Sequence, residues 1–156
     1  MRIGVISDTH GNINAIEKVI NKAGEVDAWL HCGDYSSDTV KMAELTDKPI
    51  YSVRGNCDFI SNAPLNMVVE LGGKRIYMTH GHMVDVNSGT LSLINAALEK
   101  ECDIAVYGHT HIPNVEYAKV LVLNPGSPSK PLGGLEPSYA VITIDGDKVD
   151  LSIFNI

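Results

Sequence analysis

The chain has 156 residues, 44% apolar and 20% charged, the ordinary proportions of one soluble globular domain with a real core. Twelve basic and 19 acidic side chains leave a net charge of −7, which argues against the basic footprint that long nucleic acids require. The three cysteines, Cys32, Cys57 and Cys102, form no CxxC, so neither a disulfide framework nor a zinc ribbon is indicated. No apolar run nears the roughly 20 residues of a membrane span, and "MRIGVISDTHGN" lacks the apolar core and cleavage site of a signal peptide. The expected location is the cytoplasm, away from membranes, and a homo-oligomer stays open.

"RIGVIS" is a short apolar run ending in polar residues, as in a buried strand. From Asn14 to Ala23, Ile16, Val19, Ile20 and Ala23 recur at helical spacing, with Asn12 or Asn14 as cap and Gly24 at the end. "DAWLHCGD" reads as a second strand, Ser37 to Leu45 as a short helix and "PIYSVRGN" as a third strand. This βαβαβ order implies a parallel sheet covered by helices. "MVVELGGKRIYMTHGH" then reads as a hairpin about Gly72-Gly73. Ser88 to Lys100 is a helix, with Ser88 as cap and Leu91, Ile94, Ala97 and Leu98 on one face. "DIAVYGH" is another buried strand, and "NVEYAKVLVLNPGS" and "SYAVITIDGDKVDLSIFNI" are hairpins. The expected architecture is α/β, two sheets stacked face to face with helices outside.

Strand after strand ends in Asp, Asn or His. Asp8 and His10 follow the first, Asp34 the second, Asn56 and Asp58 the third, His80 and His82 the hairpin, and His109 and His111 the later strand. Ligand sites in open α/β sheets lie just beyond the carboxyl ends of the strands, so these clusters are expected to meet. Alternate residues of an extended segment point the same way, which suits the D-x-H and H-x-H spacings to a shared site. Gly11, Gly33, Gly55, Gly81 and Gly108 permit the bends. Carboxylate and neutral imidazole suit manganese, iron, zinc, cobalt or nickel. The candidates are too many for one ion. Two ions sharing a carboxylate, about 3.5–4 Å apart, would clamp both oxygens of a phosphoryl displacement.

"DTHGN", "GD", "GNCD", "THGH", "GHTH" and the later "NPGS", in this order, resemble the calcineurin-like metallophosphoesterase family, and most closely its small bacterial and archaeal phosphodiesterase branch. The resemblance implies a four-layer αββα sandwich of two mixed sheets, one domain over residues 1–156. It implies two divalent transition-metal ions, manganese first and nickel, zinc, iron or cobalt as substitutes. Asp8, His10 and His111 would hold one ion, Asn56, His80 and His109 the other, and Asp34 would bridge them. A water or hydroxide between the metals would attack a small phosphodiester.

Around these ligands several residues carry two readings. Asp58 either steadies the site from behind or satisfies backbone donors in a turn. His82 either contacts phosphate or a ligand, or is structural. Arg54 either binds phosphate or forms a surface ion pair. His31 is expected to be a hydrogen-bonded structural residue and Cys32 a small buried one. Cys57 stands where the larger family often has the histidine of "GNH", associated with protonating the leaving group. The phosphodiesterase branch shares this cysteine, which favours diesters. A thiol near two cations should have a lowered pKa and be a less available acid. The competing functions are a phosphomonoesterase with the same centre and a protein-interaction scaffold on the same fold, the latter expected where ligands have been lost.

Overall fold

The structure is a computed structural model describing residues 1–156. In chain order the elements are β1 (Arg2–Ile6), α1 (Ile13–Ala23), β2 (Ala28–His31), α2 (Thr39–Leu45), β3 (Ile50–Ser52), β4 (Asn66–Leu71), β5 (Lys74–Thr79), α3 (Leu91–Glu99), β6 (Ile104–Val106), β7 (Asn114–Tyr117), β8 (Leu121–Asn124), β9 (Ser138–Asp145) and β10 (Lys148–Asn155). Short 3-10 turns span Ser36–Asp38 and His82–Val84. The first sheet runs β10-β9-β1-β2-β3 and the second β4-β5-β6-β8-β7. β1, β2 and β3 are parallel, as are β5, β6 and β8; the hairpin strands add antiparallel edges.

Period-two alternation sorts the side chains into layers. Ile3, Val5, Leu30 and Ile142 of the first sheet meet Ile76, Met78, Ile104, Val106 and Leu123 of the second in one buried cluster. The intervening residues face outward. Ile6, Trp29 and Val141 pack under Ile16 and Val19 of α1 and Met42 of α2. Tyr77, Ala105 and Val122 pack under Leu93 and Ala97 of α3. The result is the expected four-layer αββα sandwich of two mixed sheets. No helix is long and apolar enough to cross a membrane.

The helix ends show where local pattern was and was not decisive. Asn12 is the cap of α1; its side chain accepts from Ala15 N at 3.1 Å. The expected helix from Ser37 splits into the 3-10 turn and α2, and Asp38 caps nothing because its carboxylate is engaged elsewhere. α3 starts at Leu91, three residues later than expected, and Ser88 does not cap it. Thr90 precedes the helix, but its hydroxyl donates to Glu116 Oε2 instead. The buried face of α3 is Leu93 and Ala97, whereas Leu91 is 71% exposed and Leu98 42% exposed. Those two leucines were expected to face the sheet. The delayed start leaves Leu91 on the first turn, outside the contact.

Gly4 makes the α1 side of β1 possible. A Cβ there would overlap the six-membered ring of fully buried Trp29. Gly4→Ala is expected to cost about 1–3 kcal/mol through overpacking. Urea unfolding should show a lower midpoint at unchanged slope.

Candidate metal centre

The parallel strands of both sheets deliver their carboxyl ends to one place. Asp8 and His10 leave β1, and Asp34 leaves β2. Their ligand atoms and that of His111 all lie within 4.8 Å of one another. His111 Nε2 stands 3.2 Å from Asp8 Oδ1 and 3.4 Å from His10 Nε2. A second group adjoins the first. His80 Nε2 lies 3.0 Å from Asn56 Oδ1, and the His109 ring centres 5.1 Å from the His80 ring. Asp34 stands between the groups: Oδ1 is 3.3 Å from His80 Nε2, and Oδ2 is 3.7 Å from His10 Nε2.

The rings are aimed from behind. His80 Nδ1 donates to Cys32 O at 2.8 Å, and His111 Nδ1 donates to Lys130 O at 2.6 Å. With Nδ1 so engaged, each turns Nε2 inward, and on the neutral ring that atom is bare, as metal-holding imidazoles require. The Asn87 carboxamide lies 3.0 Å from His109 Nε2, which leaves Nδ1 as that ring's free atom. Asp8 is wholly buried, yet its Oδ1 has no hydrogen-bond partner, although Oδ2 accepts from His109 N at 3.0 Å. A carboxylate oxygen without a donor is costly to bury unless a positive charge meets it. This donor set fits divalent transition metals.

The electrostatics agree. Burial, with added pressure from neighbouring charges, lowers the pKa of His10, His82 and His109, so these rings are neutral near pH 7. Burial alone would raise Asp8, but the His111 ring, 3.2 Å from Oδ1, and the His80 field outweigh it and hold the carboxyl below its ordinary value. The Asp8 carboxylate in turn raises His111.

The remaining candidates divide. Asp58 takes the turn role: its oxygens accept from Gly55 N at 2.7 Å, Ser36 N at 2.7 Å and Ser36 Oγ at 3.0 Å. It thereby ties the Asn56 loop to the Asp34 loop. His82 reaches the cleft, 5.4 Å from the His80 ring and 6.2 Å from His109, with Nδ1 buried and unpartnered. Arg54 adds to the positive field on His82. Its guanidinium makes no ion pair, whereas Arg2 and Arg75 are both engaged by carbonyls or carboxylates. The surface ion pair considered for Arg54 is thus absent. His31 is fully buried and satisfied, accepting from Gly33 N at Nδ1 and bonded to Thr9 Oγ1 through Nε2 at 3.0 Å. Cys32 is fully buried and its thiol is pushed strongly upward. The lowering expected for Cys57 depends on two nearby cations; in the chain alone the direction is upward. Burial, then Asp34, pushes its thiol up to about 11, so in the absence of cations it stays protonated.

Sequence reading missed three residues. Asp38 Oδ2 accepts from Thr9 Oγ1 at 2.6 Å and Gly11 N at 2.9 Å, clamping the Asp8–His10 loop. Lys130 lies in no ion pair, and its positive charge depresses His10. Asn87 holds His109. None sits in a strand-end motif; only the "NPGS" segment just before Lys130 hinted at that loop. Its Ser127 Oγ donates to Asp8 O at 2.8 Å.

The calcineurin-like phosphoesterase superfamily domain matches residues 1–147. The chain is 32% identical to the phosphodiesterase YfcE of Escherichia coli K12, an alignment covering 93% of this chain and 89% of that protein. The crystal structure of a predicted phosphoesterase from Streptococcus pneumoniae superposes with a TM-score of 0.83 at 38% identity, covering 99% of this chain and 88% of that one. Vacuolar protein sorting 29 of Cryptosporidium parvum superposes with a TM-score of 0.77 at 27% identity, over 99% and 91% of the two chains. With its ordered motifs, its αββα layers and its converging ligands, the chain belongs to the calcineurin-like phosphoesterase superfamily, a family of phosphoric ester hydrolases.

Proposed function

We propose that this protein, acting as one domain, is a metal-dependent phosphodiesterase for small diesters with a two-ion centre. The observation that carries the reading is Asp34, whose two oxygens face two separate groups of ligands. Asp8, His10 and His111 would hold one ion, Asn56, His80 and His109 the other, and Asp34 would serve both. Such ions, with manganese the first candidate, supply Lewis-acid polarisation of phosphoryl oxygens and bring the pKa of a water toward neutrality.

The chain's own groups do the rest. Arg54, which makes no ion pair and acts on His82 by its charge, would take a phosphoryl oxygen in its fork. Lys130 adds a second unpaired cation on the His10 side. His82 offers a neutral ring with an unpartnered nitrogen beside Arg54. Asp58 and Asp38 keep the ligand loops in register. Without cations Cys57, next to Asn56, holds its proton on Sγ; two ions beside it would lower that pKa.

The scaffold reading draws on the likeness to vacuolar protein sorting 29 and on Phe59 and Ile60, 91% and 101% exposed beside the Asn56 loop. A complete ligand set favours the enzyme. Methyl nitrophenyl phosphate is the deciding diester, compared with nitrophenyl phosphate. Metal-dependent turnover with the diester faster is expected; a faster monoester would move the assignment to a phosphomonoesterase, and no turnover of either would remove the enzyme.

The bridging role makes its own demand. Asp34→Asn should weaken metal binding by at least about 10–100-fold, the range for groups that merely support ligands. Both ions should be affected. Inductively coupled plasma analysis of dialysed protein checks this, and loss of one ion with full retention of the other would contradict the bridge.

The uptake of metal should also release a proton, and the pKa directions say from where. His10 and His109 are already neutral near pH 7, whereas the raised His111 carries the excess proton below its shifted value. Calorimetric metal titrations in buffers of different ionisation enthalpy should show release that grows as pH falls from 8 toward 6. His111→Gln should remove most of it.

The cysteine is tested by leaving groups. General acid help is worth about 10²–10⁴-fold and matters most for basic leaving oxygens. Cys57→Ala should retain most activity on the nitrophenyl diester, and Cys57→His should flatten the dependence on leaving-group pKa across a series of aryl esters.

A further inference from the structure

Beside the candidate metal-ligand cluster the chain forms an open pocket of about 390 Å³. It abuts the loop carrying His109 and His111: Thr110 and Ile112 line it directly, and Asn87, on its wall, touches His109 Nε2. Its volume falls in the range of small-ligand pockets. The molecule's other cavity, about 530 Å³, lies at the opposite end of the first sheet and carries Glu25, Asp47 and Lys48.

No charged residue lines the cavity beside His109. Val86, Tyr107, Ile112 and Leu132 give it apolar walls, and Asn87 and Asn114 give it two amides. The Asn114 amide is set by its surroundings. Nδ2 donates to Glu116 Oε1 at 2.7 Å and to Tyr107 Oη at 3.1 Å, which spends its donors and leaves Oδ1 as an acceptor. Glu116 is itself fixed by the Thr90 hydroxyl at 2.8 Å. A neutral chamber next to a charged cluster suits the part of an ester that bears no phosphate. Apolar walls suit a ring, and a preset acceptor suits a ring with an N–H or O–H edge.

We propose that this cavity is the subsite for the uncharged organic group of the phosphoester, and that it selects a ring-bearing alcohol over a short alkyl one. The proposal rests on the phosphoesterase reading and names its substrate class. The same ring could come from the leaving group or from the retained ester arm; the shared chemistry is the ring.

The test uses two phosphonates that cannot be hydrolysed, methylphosphonate and phenylphosphonate, titrated calorimetrically into the metal-loaded protein. Phenylphosphonate should bind about tenfold tighter or more, the worth of placing a ring against apolar walls. Leu132, 53% exposed, tolerates change. Leu132→Trp fills the chamber and Leu132→Glu charges its wall. Each should bring the phenyl-to-methyl ratio close to one, and the ratio cancels any effect common to both phosphonates. Equal affinities in the parent protein, or a ring preference that survives both variants, overturn the subsite. Hydrolysis of methyl nitrophenyl phosphate is measured alongside. Turnover with equal phosphonate affinities removes the subsite and keeps the phosphodiesterase. A ring preference lost in the variants, without turnover, keeps the subsite and removes the phosphodiesterase.

Discussion

The site is organised around one fully buried carboxylate, Asp8, at the end of a central strand. An ionised group there is tolerated only if the surroundings supply compensating charge and hydrogen bonds. The chain supplies them from distant segments. His109 gives a backbone N–H, His111 gives a ring nitrogen, and Ser127 and Ser129 hold the Asp8 carbonyl. These partners lie more than a hundred residues away, so the carboxylate links the first strand to the last loops. The open atom, Oδ1, points to the place where a cation would complete the balance.

Holding such ligands requires backbone that is otherwise avoided. Six of the eight non-glycine residues with positive φ belong to the site loops: Asp8, His10, Asp34, Tyr35, His109 and His111. Asp and His tolerate this region better than most residues, but each such residue still costs of order 1 kcal/mol or more. Of the bends anticipated at glycines, Gly11, Gly33 and Gly81 do take positive φ, and the candidate ligands share the task. Gly55 and Gly108 serve another purpose, since neither has a positive φ. A Cβ on Gly55 would enter Asp34 Oδ1, and one on Gly108 would enter Ser7 Oγ. Their absence of side chain lets the loops close on the carboxylates. A proton chain then stiffens the first loop: His31 bonds Thr9, and Thr9 donates to Asp38, which also takes the Gly11 N–H.

Most of this was legible in the sequence because the two signals were local. Strands showed as apolar runs, and the candidate site residues showed as polar clusters immediately after them. Asn12 capping and the Gly72-Gly73 hairpin followed from rules spanning a few residues. Failures came where the deciding partner was remote. Ser88 resembled a cap until the Thr90 hydroxyl was claimed by Glu116 from another strand. Asp38 looked like part of a helix start, and its real partners lie 27 and 29 residues away. Lys130 had no motif around its charge, and Arg54, marked by its place before "GNCD", could be freed of the ion-pair reading only by seeing that it lacks a carboxylate partner while Arg75 has one.

The net charge gains meaning from this arrangement. At −7 the chain repels polyanions at a distance, and repulsion between exposed charges fades beyond about 8–10 Å at physiological salt. Within that range the balance reverses. Arg54 and Lys130 are unpaired and flank the cluster, and two bound dications would exceed the charge of Asp8 and Asp34. A small diester carries one negative charge, so it meets little of the long-range barrier and all of the short-range attraction. A long nucleic acid accumulates the barrier along its length and can bring only one phosphate to the centre at a time. The neutral chamber beside His109 adds no attraction for further phosphates. Charge pattern and cavity chemistry thus favour the same class of molecule, a single phosphoester with an uncharged organic group.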